Sequence, residues 1–194
     1  MYNVKKVNED LYWIGASDRR LALFENIYPI PRGVSYNSYV ILDEKIAVMD
    51  TIDTRKTDEW KENLERVLDG RTPDYLVVSH LEPDHAGSIK EFADKYPEAK
   101  IVASAKAIAM LPQFFEIADL ADRAVAVKEG EELSLGSHTL QFFMAPMVHW
   151  PEVMVEYEKS EKILFSADGF GKFGALDADE DWTCEARRYY FNIV

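Results

Sequence analysis

The stretch that most limits what this chain can become is Ser79-His80-Leu81-Glu82-Pro83-Asp84-His85-Ala86-Gly87-Ser88. Four potential metal ligands fall within the six residues from His80 to His85. They follow directly on Tyr75-Leu76-Val77-Val78, a short apolar run that fits a buried strand. Loops at the carboxyl ends of such strands are where α/β proteins build their sites. His80, Glu82 and Asp84 are spaced by two, so an extended loop turns all three the same way. Pro83 helps, because it pushes Glu82 away from helical geometry. Asp84 and His85 fall side by side where the next helix begins. Their side chains diverge, which suits a second metal beside the first. Taken singly, Asp84 has a plainer reading as a helix N-cap, with Ser88 competing for that job. A lone loop histidine is more often exposed or hydrogen-bonded than metal-bound. Four ligand-type residues at this spacing favour the metal.

Two further positions join them. His149 lies in Pro146-Met147-Val148-His149-Trp150-Pro151, between two strand-like runs. Asp168 ends Ile163-Leu164-Phe165-Ser166-Ala167, just before Gly169. Alone, Asp168 reads as an Asp-Gly turn and His149 as a loop histidine beside a packing Trp. In company, both stand at strand ends, where a site between two sheets needs them. His138 follows Gly136-Ser137 at a strand start and reads as a surface residue. The candidate set is therefore three imidazoles (His80, His85, His149) and three carboxylates (Glu82, Asp84, Asp168). That mixture suits iron, manganese or zinc and disfavours copper(I), which prefers sulfur. Three anionic ligands also stabilise trivalent ions, which tilts the choice toward iron. A carboxylate can bridge two cations, and Asp168 is the natural candidate. No protein nucleophile is needed, and no motif for binding an organic cofactor is present.

Around this site the pattern reads as an α/β (α+β) layered domain. Residues 2–14 and 36–50 look like hairpins, the second turning at Asp43-Glu44-Lys45. Residues 55–69 have helical spacing, with Trp60, Leu64, Val67 and Leu68 on one stripe. After the polar loop at 80–87, a helix is expected over 88–96, a strand over 101–104 and a helix over 105–117. Strands are expected over 123–128, 138–145, 153–158 and 162–167. This order implies two central sheets with helices outside. The segment 181–194 has the rhythm of an aromatic helix that ends without a closing Gly, Asn or Pro, as if cut within a domain.

Composition narrows the function. The 194 residues suit one domain, and 47% are hydrophobic, enough for a sizeable core. Asp and Glu outnumber Lys and Arg by 35 to 22, a net charge of -13. That balance excludes a nucleic-acid binder, which wants a basic face, and disfavours docking on anionic lipid. It favours small substrates or a redox partner with a complementary patch. The single cysteine, Cys184, permits no intrachain disulfide. With no apolar leader and no run approaching about 18 apolar residues, the expectation is a cytoplasmic protein without a membrane span.

These residues resemble the flavodiiron proteins, the diiron branch of the metallo-β-lactamase superfamily. The resemblance runs along the whole chain. It is carried by Tyr36-Asn37-Ser38-Tyr39, His80-Leu81-Glu82-Pro83-Asp84-His85, His149-Trp150-Pro151-Glu152-Val153-Met154 and Phe165-Ser166-Ala167-Asp168-Gly169-Phe170-Gly171. Hydrolytic relatives usually carry His where this chain has Glu82. The resemblance implies an αββα sandwich over residues 1–194, incomplete at its C-terminal end, with two iron ions. His80, Glu82 and His149 would hold one iron, Asp84 and His85 the other, and Asp168 would bridge. Trp150 would line the substrate pocket or simply pack. It also implies reduction of O2 to water or of NO to nitrous oxide, with electrons from FMN. The flavin would sit in a flavodoxin-like domain or a partner chain, fed by a flavodoxin- or rubredoxin-type donor, in a head-to-tail homodimer. Family members carry a further histidine on the second iron, yet no histidine follows His149 here. A dinuclear zinc hydrolase and an oxygen-sensing diiron domain without turnover are the alternatives.

Overall fold

The structure is a computed structural model and describes residues 4–175. In chain order the strands are β1 (Lys5–Lys6), β2 (Leu11–Trp13), β3 (Ala16–Asp18), β4 (Leu23–Phe24), β5 (Tyr28–Pro29), β6 (Val34–Tyr36), β7 (Tyr39–Ile41), β8 (Ala47–Met49), β9 (Tyr75–Val78), β10 (Lys100–Ser104), β11 (Ala124–Val127), β12 (Glu132–Ser134), β13 (Thr139–Met144), β14 (Met154–Glu158) and β15 (Ile163–Phe165). The helices are α1 (Thr57–Leu68), α2 (Pro83–Ala86), α3 (Ile89–Lys95), α4 (Ala105–Met110) and α5 (Leu120–Arg123).

The larger sheet has seven strands in the order β1-β2-β7-β8-β9-β10-β11. Its first half is antiparallel, and from β8 to β11 it is parallel. The parallel strands are covered on both faces, so they read as unbroken apolar runs: Leu76, Val77 and Val78 in β9, and Ile101, Val102 and Ala103 in β10, all fully buried. The smaller sheet is β12-β13-β14-β15, antiparallel throughout. Leu140, Phe142, Met154 and Phe165 from this sheet share one core with the larger sheet. Trp60, Leu64 and Leu68 of α1 and Phe92 of α3 join the same core. Two short pairs, β3-β6 and β4-β5, complete the described strands.

Most expected elements are present, with shifted ends. The helix expected over 105–117 stops early. Pro112 lacks the N–H an α-helix needs there, and Leu111–Gln113 tightens into a 3-10 turn. The loop at 80–87 contains the single helical turn α2, with Pro83 at its first position and Glu82 extended at its N-cap. The strands β3, β4, β5, β6 and β12 and the helix α5 were not expected, being two to four residues long. The aromatic helix expected over 181–194 lies outside the described residues.

His138 corrects the surface reading. It is 6% exposed, and Asp43 receives both its backbone N–H at 2.7 Å and its ring Nδ1 at 2.8 Å. The N–H of Lys45 donates to the carbonyl of Leu135 in the same corner. The clasp ties the β7–β8 turn to the turn before β13, at the end of β8 opposite Asp50. Asp43 still keeps its backbone donors if the ring is lost. His138→Ala should therefore lower stability by about 1–3 kcal/mol, read by urea unfolding, with metal content unchanged. An unchanged unfolding midpoint would show that the clasp is passive.

Candidate metal centre

The centre forms where β8, β9, the β13–β14 loop and the loop after β15 converge. The loop that carries His80, Glu82, Asp84 and His85 is docked rather than free. Thr51 donates its backbone N–H and its hydroxyl to the carbonyl of His85, at 2.7 and 2.9 Å. Gly87 lets α2 sit this close. A Cβ there would come within 2.9 Å of the Ile52 carbonyl oxygen and 2.7 Å of that of Pro83.

All six candidate residues are brought together. His80 is fully buried, with its Nε2 3.2 Å from Glu82 Oε2 and 3.4 Å from Asp168 Oδ2. His149 presents its Nε2 to the same two oxygens, at 2.9 and 3.4 Å. His85 Nε2 lies 3.2 Å from Asp168 Oδ1 and 3.6 Å from Asp84 Oδ2. The donor atoms thus fall into two groups, His80-Glu82-His149-Asp168 and Asp84-His85-Asp168, each within 4.8 Å. Asp168 belongs to both and turns one oxygen to each.

Two carboxylates that sequence reasoning passed over fix the imidazoles from behind. Glu152 Oε1 accepts from His80 Nδ1 at 2.8 Å and from the Leu81 N–H at 3.0 Å. Asp50 Oδ2 meets His85 Nδ1 at 3.2 Å, while its Oδ1 accepts the Ser79 N–H at 2.7 Å. A proton on each Nδ1 leaves each Nε2 lone pair facing the centre. Asp50 is itself braced, since Ser38 donates to its carbonyl at 2.8 Å and Trp60 donates to Ser38 at 3.0 Å. Glu152 stood inside a quoted motif, and Asp50 ended an apolar strand. Neither had a local signal for what it faces across the fold.

The residues fit metal ions. Asp84 Oδ1 and Asp168 Oδ2 are buried acceptors without a hydrogen-bond donor. Lone pairs of imidazole and carboxylate face one another at hydrogen-bond distance, an arrangement that needs a cation or a proton between them. Without a metal, protons meet that demand. Burial works against a charge on His80, but hydrogen bonds to Glu152 and Glu82 outweigh it and raise its pKa to about 9. Burial opposes the charge on His85 too, and Asp84 and Asp168 overcome it, so its pKa rises well above the usual value. Burial pushes Asp84 up to about 7. Burial also favours neutral Glu82 and Asp168, but the histidines beside them hold both below the usual range.

The centre opens into a cavity of about 310 Å³. Glu82, Asp84, His85, His149 and Asp168 form its floor, and Phe24, Ile27, Tyr28, Trp150 and Phe173 wall it. Trp150 stands edge-on to His80, ring centres 5.2 Å apart. Glu25, which no sequence pattern marked, also lines it.

The family described as ODP family beta lactamase matches residues 34–192. The chain belongs to this family. A nitric oxide reductase of Moorella thermoacetica is 33% identical over 97% of this chain and 49% of its own length. An anaerobic nitric oxide reductase flavorubredoxin of Salmonella arizonae is 33% identical over 97% of this chain and 41% of its own. Among solved structures, the rubredoxin oxygen:oxidoreductase of Desulfovibrio gigas superposes with a TM-score of 0.89 at 32% identity, covering 98% of this chain and 49% of that one. The flavodiiron protein of Giardia intestinalis gives 0.88 at 29% identity, over 98% and 46%. The fold is thus the metallo-β-lactamase-like sandwich of the flavodiiron proteins. The chain spans about half the length of the curated relatives it matches. Among the described residues no helix is long and apolar enough to cross a membrane.

Two tests follow from this ODP-family site. Glu152→Ala and Asp50→Ala should each weaken metal binding about 10- to 100-fold with the circular dichroism spectrum retained, as read by chelator competition. Wild-type affinity in both variants would remove the positioning role. Protons on His80 and Asp84 must also leave before a metal enters. Metal affinity should therefore rise with pH from below neutral, where Asp84 begins to titrate, and keep rising at least to the His80 value of about 9, because His85 is also held well above its usual value. Calorimetry in buffers of different ionisation enthalpy counts the protons released, and a count of zero would contradict the argument.

Proposed function

We propose that residues 1–194 form the metal-holding domain of a flavodiiron-type reductase, which takes O2 to water or NO to nitrous oxide. The observation that carries this reading is Asp168, whose two oxygens divide between two donor groups. His80, Glu82 and His149 would hold one iron and Asp84 and His85 the other, with Asp168 bridging. The names of the relatives support the substrates, since they include nitric oxide reductases and an oxygen:oxidoreductase. When bound, the two irons would supply electrons and Lewis acidity to the substrate.

The chain's own residues do the rest. Glu152 and Asp50 hold the imidazoles in the tautomer that faces the centre. Phe24, Ile27, Tyr28 and Trp150 give the approach an apolar wall, which admits small neutral molecules and disfavours water. Glu82, an anionic donor in place of a neutral imidazole, favours iron that reaches the trivalent state. FMN on a further domain or a partner chain would refill the irons, charged by a rubredoxin- or flavodoxin-type donor. A head-to-tail homodimer would bring the flavin of one protomer to the irons of the next. The working compartment is the cytoplasm.

The test is elemental analysis of protein purified without oxygen or added metal, paired with consumption of O2 and of NO under reduced donor. Close to two irons per chain with consumption of either gas is expected, and Asp168→Ala should lose both. Zinc together with esterase activity and no gas consumption would replace this reading with a dinuclear hydrolase. Reversible O2 binding without turnover would make the site a sensor.

A further inference from the structure

Three residues of the segment Tyr36-Asn37-Ser38-Tyr39 have a structural task. Tyr36 is fully buried and packs in the core. Ser38 donates its hydroxyl to the Asp50 carbonyl at 2.8 Å. Tyr39 meets Phe165 edge to face, ring centres 5.4 Å apart. Asn37 differs, because only half of its amide is used. Its Oδ1 accepts from the indole Nε1 of buried Trp13 at 3.0 Å. An indole N–H only donates, so the atom it meets is the amide oxygen, and the two ends of the amide are distinguished. The Nδ2 end meets no acceptor among the described residues, yet it is not shut away from solvent.

Asn37 lines the cavity over the centre, and its unused end is the half of the amide left to face it. The backbone on either side is fastened. Tyr36 pairs with Ala16 between β6 and β3, and the Ser38 carbonyl accepts the Ile14 N–H at 2.9 Å. Trp13 then fixes the rotation of the amide itself. The next residue, Ser38, leads through Asp50 to His85, whose Nδ1 lies 3.2 Å from Asp50 Oδ2. Asn37 therefore stands on the His85 side of the centre. The group Asp84-His85-Asp168 offers three donor atoms and the other group four, so an incoming ligand finds more room here. Such a ligand meets few hydrogen-bond donors. Carboxylates and imidazole nitrogens that hold metals present none, and the Ser35 hydroxyl in the same lining already donates to the Gly174 carbonyl at 3.0 Å. A fixed amide N–H without a partner is preorganised for an acceptor that arrives.

We propose that Asn37 is the hydrogen-bond donor that orients a small ligand with an acceptor lone pair (O2, NO or a small anion) entering beside Asp84 and His85. Trp13 is the positioning residue behind it, as Asp50 is behind His85. The inference deepens the proposed function and rests on it only in requiring a metal at the Asp84-His85 group. The apolar wall admits small molecules without favouring one orientation, and the amide supplies the direction. Its hydrogen bond strengthens as negative charge builds on the ligand during reduction. The amide is neutral and adds no charge to the donor set, so it acts on the ligand and leaves the hold on the metal unchanged.

The probe is azide, a small anion with acceptor nitrogens. It is titrated into the oxidised, iron-loaded full-length protein and followed by the charge-transfer absorption it produces. Wild type is compared with Trp13→Phe, Asn37→Ala and the double variant. Phenylalanine at position 13 needs no acceptor, so that background isolates the Nδ2 end of the amide. In it, Asn37→Ala should still weaken azide binding about tenfold or more, with iron content and unfolding midpoint unchanged. Trp13→Phe alone should weaken azide less, by freeing the amide to turn. If Asn37 serves only Trp13, azide binds equally to Trp13→Phe and to the double variant, and that result overturns the proposal. Wild-type azide affinity in Asn37→Ala, or loss of iron from the double variant, overturns it as well. Should Asn37→Ala fail to fold because the Trp13 N–H is left unpaired, the double variant decides by the same readout. Wild-type protein that holds two irons yet reduces neither gas sinks the proposed function and leaves this comparison intact. Wild-type protein that takes up no iron overturns both.

Discussion

The carboxylates of Glu82, Asp84 and Asp168 repel one another at a site that is buried at Glu82 and opens to the cavity at Asp168. Water would screen that repulsion, and buried protein does so far less. Glu152 and Asp50 add two more negative charges directly behind His80 and His85. Five carboxylates therefore surround three imidazoles that are neutral whenever they act as ligands. Two divalent ions fall one charge short of this shell, and two trivalent ions exceed it by one. A shell that lies between the two totals penalises neither state strongly, which suits the proposed iron pair. A neutral imidazole at position 82 would shift the shell toward the divalent state. The identity of that one residue thus bears on the chemistry as well as on the geometry.

Repulsion of this size has to be resisted by structure, and the core supplies the resistance. The ligand loop leaves β9, whose neighbours β8 and β10 are buried with it in the middle of the larger sheet. From the packed indole of Trp60 a chain of hydrogen bonds runs through Ser38 to Asp50, and Asp50 meets His85. From the other sheet, Glu156 is fully buried and accepts the Ser79 hydroxyl at 2.9 Å. Burial, with Asp50 beside it, keeps its pKa well above the usual value, so it adds no sixth negative charge. His80 is held between the two sheets, by β9 on one side and Glu152 on the other.

Much of this was legible in the chain, and the limit is physical. The spacing of His80, Glu82, Asp84 and His85 after an apolar strand is a local signal, because neighbours in sequence share one loop. His149 and Asp168 were legible only as strand-end residues, and company raised them. Asp50 and Glu152 were not legible as site residues, because each acts on a group 35 or 72 positions away, fixed by topology alone. His138 failed for the same reason: its partner Asp43 lies 95 residues earlier. Sheets were read correctly where strands are apolar and central, such as β9 and β10. The strands β3, β4 and β5 have too few residues to show a period, and Pro112 cut short a helix whose apolar rhythm continued past it.

The placement of backbone strain carries the argument one step further. Among the described residues nine non-glycine residues have positive φ; Asp69, Asp119 and Lys162 lie at helix ends and in the β14–β15 turn, and the other six are Glu25, Asn26, Asp50, Met147, Ala167 and Phe170. Asp and Asn tolerate that conformation, but Glu, Met, Ala and Phe do so at of order 1–3 kcal/mol each. All six sit in the segments that border the centre: the β4–β5 turn, the end of β8, the β13–β14 loop and the loop after β15. The helices and paired strands that build the two sheets carry none of them. A chain under selection for stability alone would have placed glycine or asparagine at such positions. Here the burial of the sheets offsets the strain, and the strained loops aim side chains that relaxed turns would point elsewhere. Ala167 turns the chain immediately before Asp168, the residue whose two oxygens face the two donor groups. That turn takes Asp168 out of the line of β15 to where it belongs to both donor groups.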